Sequence, residues 1–268
     1  MPSKYVTVAG VATNFLYSGP TTLPPDPPRY GNAAPLLLLH GAGGNAALWR
    51  KQIGALGENH TAVAPDLPAH GRSGATEGLA SIEAMRDFTA AFAETLQLPP
   101  AVLIGTCMGA VAALAMAADA PARWRGLVLV AAAMPHRFAS AAVDTWREVA
   151  YGRAPQPFTT EAFSSSTDFG VMRELWMEQV KTDPRVRWTD MVACNAFDGS
   201  AMLGAVRLPT LIIAGRDDAL VPLEHAEALQ RAIGGSRLVV LDAAGHCAAY
   251  EQADAFNAAV GEFLKEMR

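Results

Sequence analysis

The sequence predicts an α/β fold, with a mostly parallel sheet, helices on both faces and one inserted helical segment. Three observations predict it. The runs Leu36–Leu39, Thr61–Ala64, Gly126–Val130 and Leu208–Ala214 are short and apolar or small throughout, as in strands buried on both faces. Segments of helical period separate them, which is the rhythm of βα units. Several runs end in a glycine-rich or polar loop, the edge of a parallel sheet where chemistry collects.

The totals agree with this class. A chain of 268 residues suffices for one large domain with an insertion, or for two small domains. Its 51% apolar and 18% charged residues suit a large buried core. A formal charge of −5 argues against nucleic-acid and anionic-membrane partners. No apolar run reaches the length of a membrane span, and Met1-Pro2-Ser3-Lys4 opens without a signal peptide's apolar core. Cys107, Cys194 and Cys247 are odd in number and far apart, which does not resemble a disulfide framework. A cytoplasmic location is therefore expected. A homodimer is compatible with everything in the sequence.

In chain order, Tyr5–Val8 and Thr13–Tyr17 alternate as two strands joined around Gly10, and the proline-rich stretch 19–35 is an exposed connection. Leu36–Leu39 runs into the loop His40-Gly41-Ala42-Gly43-Gly44, after which Ala46 opens a helix. Thr61–Ala64 is closed by the loop 65–74, which carries Asp66, His70 and Arg72. Ser81 is the expected N-cap of a helix to about Leu96, with Ile82, Met85, Phe88 and Phe92 on one face.

Val102-Leu103-Ile104-Gly105-Thr106-Cys107-Met108-Gly109-Ala110 then reads as a buried strand, a sharp turn at Cys107 and a helix of small residues. Glycines two positions either side of Cys107 form G-x-C-x-G, the nucleophile-elbow pattern with cysteine in place of serine. A strained strand-to-helix turn needs neighbours without side chains, because strand and helix pass closely there. The turn would lift the Cys107 sulfur to a helix N-terminus, whose partial positive charge favours a thiolate.

From 132 to 206 the period is helical and the composition rich in aromatics and methionine, so this segment is expected to be a lid on a core of 1–131 and 207–268. Met134, Phe138 and Trp146 follow a strand end and are the expected pocket residues. Pro222–Ile233 is a helix, Arg237–Leu241 the last strand and Asp254–Met267 a closing amphipathic helix.

Cys107, Asp217 or Asp218, and His246 each follow a buried strand, which places all three on one rim. Their order, nucleophile then acid then histidine, is the order that accompanies the elbow. His246 would take the thiol proton and later activate water, and the acid would hold its tautomer. The backbone N–H groups of Met108 and of the loop near Ala42 would hold a developing oxyanion. His40, His70 and Asp66 flank glycine-rich turns and are expected to be structural, the histidines bonding loop backbone, while Arg72 and Glu251 anchor a loop and a helix and Cys194 packs the lid. No C-x-x-C pair, histidine-rich cluster or phosphate-binding G-x-G-x-x-G after a strand is present, so neither metal nor cofactor is implied.

The blocks H-G-A-G-G-N-A-A-L-W, D-L-P-A-H-G-R-S, G-T-C-M-G-A, G-R-D-D-A-L-V-P and G-H-C-A-A-Y-E are similar to those of the α/β-hydrolase superfamily, along the whole chain. The resemblance implies Asp218 as the acid, since that position precedes V-P in the superfamily's block. Among its members the chain most resembles lid-bearing bacterial hydrolases, including 3-oxoadipate enol-lactonases and the carbon–carbon hydrolases of aromatic catabolism. Cysteine nucleophiles are familiar in dienelactone hydrolases. Many carbon–carbon hydrolases carry tryptophan after the histidine; Cys247 stands there instead, which counts against ring-fission-product cleavage. The expected function is hydrolysis of a small apolar activated ester or lactone through a Cys107 acyl-enzyme, enol-lactone before thioester. Acyl transfer, carbon–carbon hydrolysis and ligand binding with degraded catalysis are the alternatives.

Overall fold

The computed structural model of the protein describes residues 1–23 and 26–267. Eight strands form one sheet: β1 (Ser3–Val8), β2 (Val11–Tyr17), β3 (Leu36–Leu39), β4 (Ala62–Pro65), β5 (Ala101–Thr106), β6 (Trp124–Val130), β7 (Thr210–Gly215) and β8 (Arg237–Leu241). Their order across the sheet is β1-β2-β4-β3-β5-β6-β7-β8. β2 pairs antiparallel with β1 and β4, and every pairing from β4 to β8 is parallel. All parallel strands therefore end on the same rim, with β5 near the middle.

Helices cover both faces because the parallel strands are apolar on both. On one face lie α2 (Ile82–Thr95), α3 (Met108–Asp119) and α8 (Leu223–Ala232), over Leu37, Leu103 and Leu127. On the other lie α1 (Arg50–Leu56) and α10 (Ala253–Glu266), over Leu36, Ile104 and Val128. The Ser81 hydroxyl caps α2 by accepting from the Ala84 N–H at 3.1 Å. α10 follows α9 (Ala248–Glu251), a single turn.

Between β6 and β7 the chain leaves the sheet and builds α4 (Ser140–Ala150), α5 (Phe169–Gln179), α6 (Pro184–Ala196) and α7 (Ser200–Leu203). This insertion stands over the strand ends. Its Trp146, Val149 and Met191 form a separate small apolar cluster. Its Cys194 and Phe197 join the main core.

Candidate active site

Cys107 occupies the junction of β5 and α3 with φ 53° and ψ −119°, a backbone conformation that costs a non-glycine residue about 1–3 kcal/mol. The fold holds it there by packing strand against helix. A Cβ on Gly105 would lie 2.2 Å from the Gly109 carbonyl oxygen, and one on Gly109 2.3 Å from that of Leu39. Neither position accepts a side chain. The Cys107 N–H donates to Val130 O at 2.9 Å, which ties the turn to β6.

The loop after β8 brings His246 to the same place. Glu251 fixes that loop, accepting from the Gly245 N–H at 2.9 Å, the Ser164 N–H at 2.8 Å and the Thr167 hydroxyl at 2.6 Å. His246 Nδ1 hydrogen-bonds Asp218 Oδ2 at 3.0 Å. Asp218 Oδ1 accepts from the N–H groups of Leu220 and Val221 at 2.9 and 2.8 Å. The adjacent Asp217 turns away and accepts from the Ser164 hydroxyl at 2.6 Å. The two acids, indistinguishable by spacing alone, are thus divided between the histidine and the insertion.

Electrostatics couple the sulfur and the ring. Burial opposes charge on Cys107, but the imidazoles of His136 and His246 outweigh it and hold the thiol well below its ordinary pKa. Burial likewise opposes charge on His246, and Asp218 with the Cys107 sulfur raises it to about 10. Both shifts favour the same ion pair, thiolate with imidazolium, and the two groups titrate together. Burial pushes the thiols of Cys194 and Cys247 up instead. All three cysteines are free.

Met108 is the first residue of α3, where an N–H has no intrahelical partner. Ala42 lies on the loop after β3. That loop reaches the elbow: a Cβ on Gly41 would stand 3.2 Å from the Cys107 Cβ. The neighbouring Gly43 N–H is taken by Asp190 of α6 at 2.8 Å and the Gly44 N–H by Gly41 O at 2.9 Å.

Cys107 and His246 open onto a cavity of about 600 Å³ between the sheet rim and the insertion. Phe138 and Trp146 line it as expected, and Phe158, Phe163 and Trp176 do so too. Met134 does not. Its sulfur accepts from the Gly199 N–H at 3.2 Å and it packs against the main core, because the chain turns toward α7 at that point. Cys247 also lines the cavity.

Among the cavity residues that the sequence does not single out are His136 and Arg187. His136 Nε2 lies 3.4 Å from Cys107 Sγ. Arg187 of α6 crosses the cavity with its stem on Gly43 and its guanidinium 4.1 Å from the Trp146 ring centroid. Its one hydrogen bond among the described residues goes to Gln179 Oε1 at 3.3 Å. Burial lowers its pKa. A histidine just past a strand end was a usable signal for His136; an arginine inside a helical segment offers none.

His40, His70 and Asp66 do bond loop backbone. His40 Nδ1 donates to Gly41 O at 2.9 Å and its Nε2 accepts from the Leu67 N–H at 3.2 Å; burial and His70 lower its pKa to about 3. Asp66 accepts from the N–H groups of Ala46 and Arg72 at 2.7 and 2.9 Å. His70 additionally pairs with Asp190 at 2.9 Å, a contact to the insertion that no local pattern signalled.

A sequence profile of the α/β hydrolase fold family matches residues 34–253. The chain belongs to the α/β-hydrolase family. It is 32% identical to a protein assigned as the carbamate hydrolase RutD of Variovorax paradoxus, over 85% of this hydrolase and 91% of the relative. It is 25% identical to the 2-hydroxy-6-oxo-6-phenylhexa-2,4-dienoate hydrolase of Comamonas testosteroni, over 87% of this chain and 89% of that one. Among solved structures it resembles the enol-lactonase of Burkholderia xenovorans LB400, with TM-score 0.82 and 25% identity, over 98% of this chain and all (100%) of the other. A thermophilic esterase from Thermogutta terrifontis shares the fold at TM-score 0.84 and 24% identity, over 100% of this chain and 99% of the other.

Proposed function

We propose that this α/β-hydrolase cleaves a small activated ester, enol-lactone first and thioester second, through a Cys107 acyl-enzyme. The observation that carries the proposal is the strained elbow sulfur beside the Asp218–His246 pair at the mouth of an apolar cavity, with its thiol pKa held down by the neighbouring imidazoles. The thiolate adds to the carbonyl carbon, and the Ala42 and Met108 N–H groups receive the oxyanion. The His246 imidazolium protonates the departing oxygen or sulfur. As a neutral ring it then takes a proton from water, which hydrolyses the thioester. The helices between 132 and 206 act as a lid that excludes bulk water. Similarity to an enol-lactonase supports the order of substrates.

Arg187 adds a charge requirement. A half-buried guanidinium with one weak hydrogen bond, held over Trp146, is an anchor for a planar anion. The substrate is accordingly one that carries a carboxylate beyond the reacting carbonyl. Relatives named as dienoate hydrolases make the carbon–carbon reading the second choice, favoured by the same arginine.

Sulfur should govern leaving groups. In the tetrahedral intermediate a thiolate competes with the substrate's own leaving group, so an alkoxide loses and an enolate or phenolate departs. Aryl esters and enol-lactones should exceed matched alkyl esters by roughly 100-fold in kcat/KM, about 2.7 kcal/mol of barrier. Cys107→Ser should shrink that ratio, and Cys107→Ala should abolish turnover. Steady-state kinetics on a matched pair decides it; an unchanged ratio in the serine variant, or turnover in the alanine variant, removes the proposal.

A further inference from the structure

Two imidazoles meet the same sulfur, and they are built differently. His246 has Asp218 behind its ring. His136 has nothing behind its ring: Nδ1 is buried without a hydrogen-bond partner among the described residues, while Nε2 faces Cys107 Sγ at 3.4 Å. The ring is 1% exposed and packs edge-to-face on Phe138, with centroids 5.2 Å apart. Its loop is pinned to the insertion. The Phe138 N–H donates to Asn195 Oδ1 at 2.7 Å, Asn195 Nδ2 donates to Phe138 O at 3.1 Å, and Arg137 Nη1 donates to Phe197 O at 2.6 Å. A buried ring held this firmly against a reacting atom is preorganised for one contact.

The unpartnered Nδ1 selects the tautomer. A proton there would be a buried donor without an acceptor, costing about 1–3 kcal/mol. With the proton on Nε2, the ring donates to the sulfur and leaves only a bare lone pair at Nδ1. We propose that His136 is a second catalytic residue of this site: an Nε2–H donor that stabilises the Cys107 thiolate and, through it, sets leaving-group selectivity. Labour is then divided. The thiol proton goes to His246, which later returns it to the leaving group and draws one from water. His136 keeps its own proton throughout and exchanges none.

Two consequences separate the imidazoles. A thiolate stabilised by a donor is a better leaving group, so in the tetrahedral intermediate it departs more readily in competition with an alkoxide. His136 therefore widens the preference for stabilised leaving groups, a deepening that rests on the acyl-enzyme reading above. Forming the carbon–sulfur bond removes the charge that accepts the Nε2–H. His246, by contrast, is needed for deacylation whatever the leaving group. The other groups around the sulfur are Arg187 across the cavity, Asp218 behind His246, and the Cys194 and Cys247 thiols that burial keeps neutral. None of these supplies a second hydrogen bond to Cys107 Sγ within the described contacts.

The test is the pH profile of Cys107 alkylation by iodoacetamide, read by peptide mapping on the full chain. His136→Phe keeps the ring and its packing on Phe138 but removes the donor. It should raise the apparent alkylation pKa by about one unit, so that labelling at acidic pH slows roughly tenfold. His136→Gln restores an N–H without a titratable ring and should return the profile toward wild type. The same His136→Phe protein should show a smaller aryl-to-alkyl ratio in kcat/KM, with the deacylation rate from single-turnover measurements lowered far less than in His246→Ala. An unaltered alkylation profile in His136→Phe, with the fold intact by circular dichroism, overturns the inference. So does a deacylation defect as large as that of His246→Ala, since it would make His136 a base. If instead Cys107→Ala retains turnover, the acyl-enzyme reading fails while the alkylation result still stands on its own.

Discussion

The His246–Asp218 and His70–Asp190 pairs are nearly the same object, with nitrogen–oxygen distances of 3.0 and 2.9 Å and both carboxylates buried. Both histidine pKa values are raised by their aspartates against the opposing effect of burial. Their surroundings differ. His70 spends both ring nitrogens inside the protein, Nδ1 on Pro68 O at 3.0 Å and Nε2 on Asp190. His246 spends only Nδ1 on its aspartate, and its other edge meets the Cys107 sulfur at the cavity. Asp190 also accepts the Gly43 N–H, so the His70 pair fastens α6 to the glycine-rich loop. The two rings differ in what the second nitrogen faces: a carboxylate of α6 for His70, the cavity sulfur for His246.

The largest expected effect separates the pairs by rate. His246→Ala should lower kcat by about a thousandfold or more, because groups that act as a unit fail together. His70→Ala should leave kcat within about tenfold, since its ring never touches the reacting atoms. A collapse of kcat in folded His70→Ala would erase the distinction.

Stability should show the converse. Asp190→Ala removes one partner of a buried pair and should cost about 3–5 kcal/mol, read as a lowered Tm and denaturant midpoint. It also frees the Gly43 N–H beside Ala42, so KM should rise as the insertion loosens. An unchanged midpoint would mean that the clamp contributes nothing to the native state.

The smallest effect is a slope. His70 has a folded pKa above its ordinary 6.5, so the stability it contributes is fully present below about 6.5 and is lost as pH rises through the folded value. Wild type should therefore lose stability above about pH 6.5 more steeply than His70→Gln, in which no proton is released. Parallel curves of Tm against pH for the two proteins would show that the pair is already neutral at rest.

Much of this was legible in the chain itself. Arg237–Leu241 is the last strand both by pattern and in the structure, and Ser81 caps the helix it was expected to cap. Both signals are local, and the alternating rhythm of strands and helices carries the α/β topology. The strand-end rule placed Cys107, either Asp217 or Asp218, and His246 on one rim, and in the structure His246 hydrogen-bonds Asp218 there. Met134 obeyed the same rule and still turned away, because residues just past a strand are free to follow their own loop.

Residues such as Asp190, Asn195 and Arg187 lie inside an apparently ordinary helical stretch, and only packing gives them meaning. The contacts that define them span 120 and 147 positions for Asp190, to His70 and Gly43, and 57 for Asn195, to Phe138. The sequence by itself determined the sheet, the helices and the strained turn, since each follows from periodicity or from glycines whose absent side chains the turn requires. Tertiary structure alone decided that His136 meets the sulfur and which histidine is spent on holding the insertion. Those choices depend on distances between segments remote in the chain, and periodicity carries no record of distance.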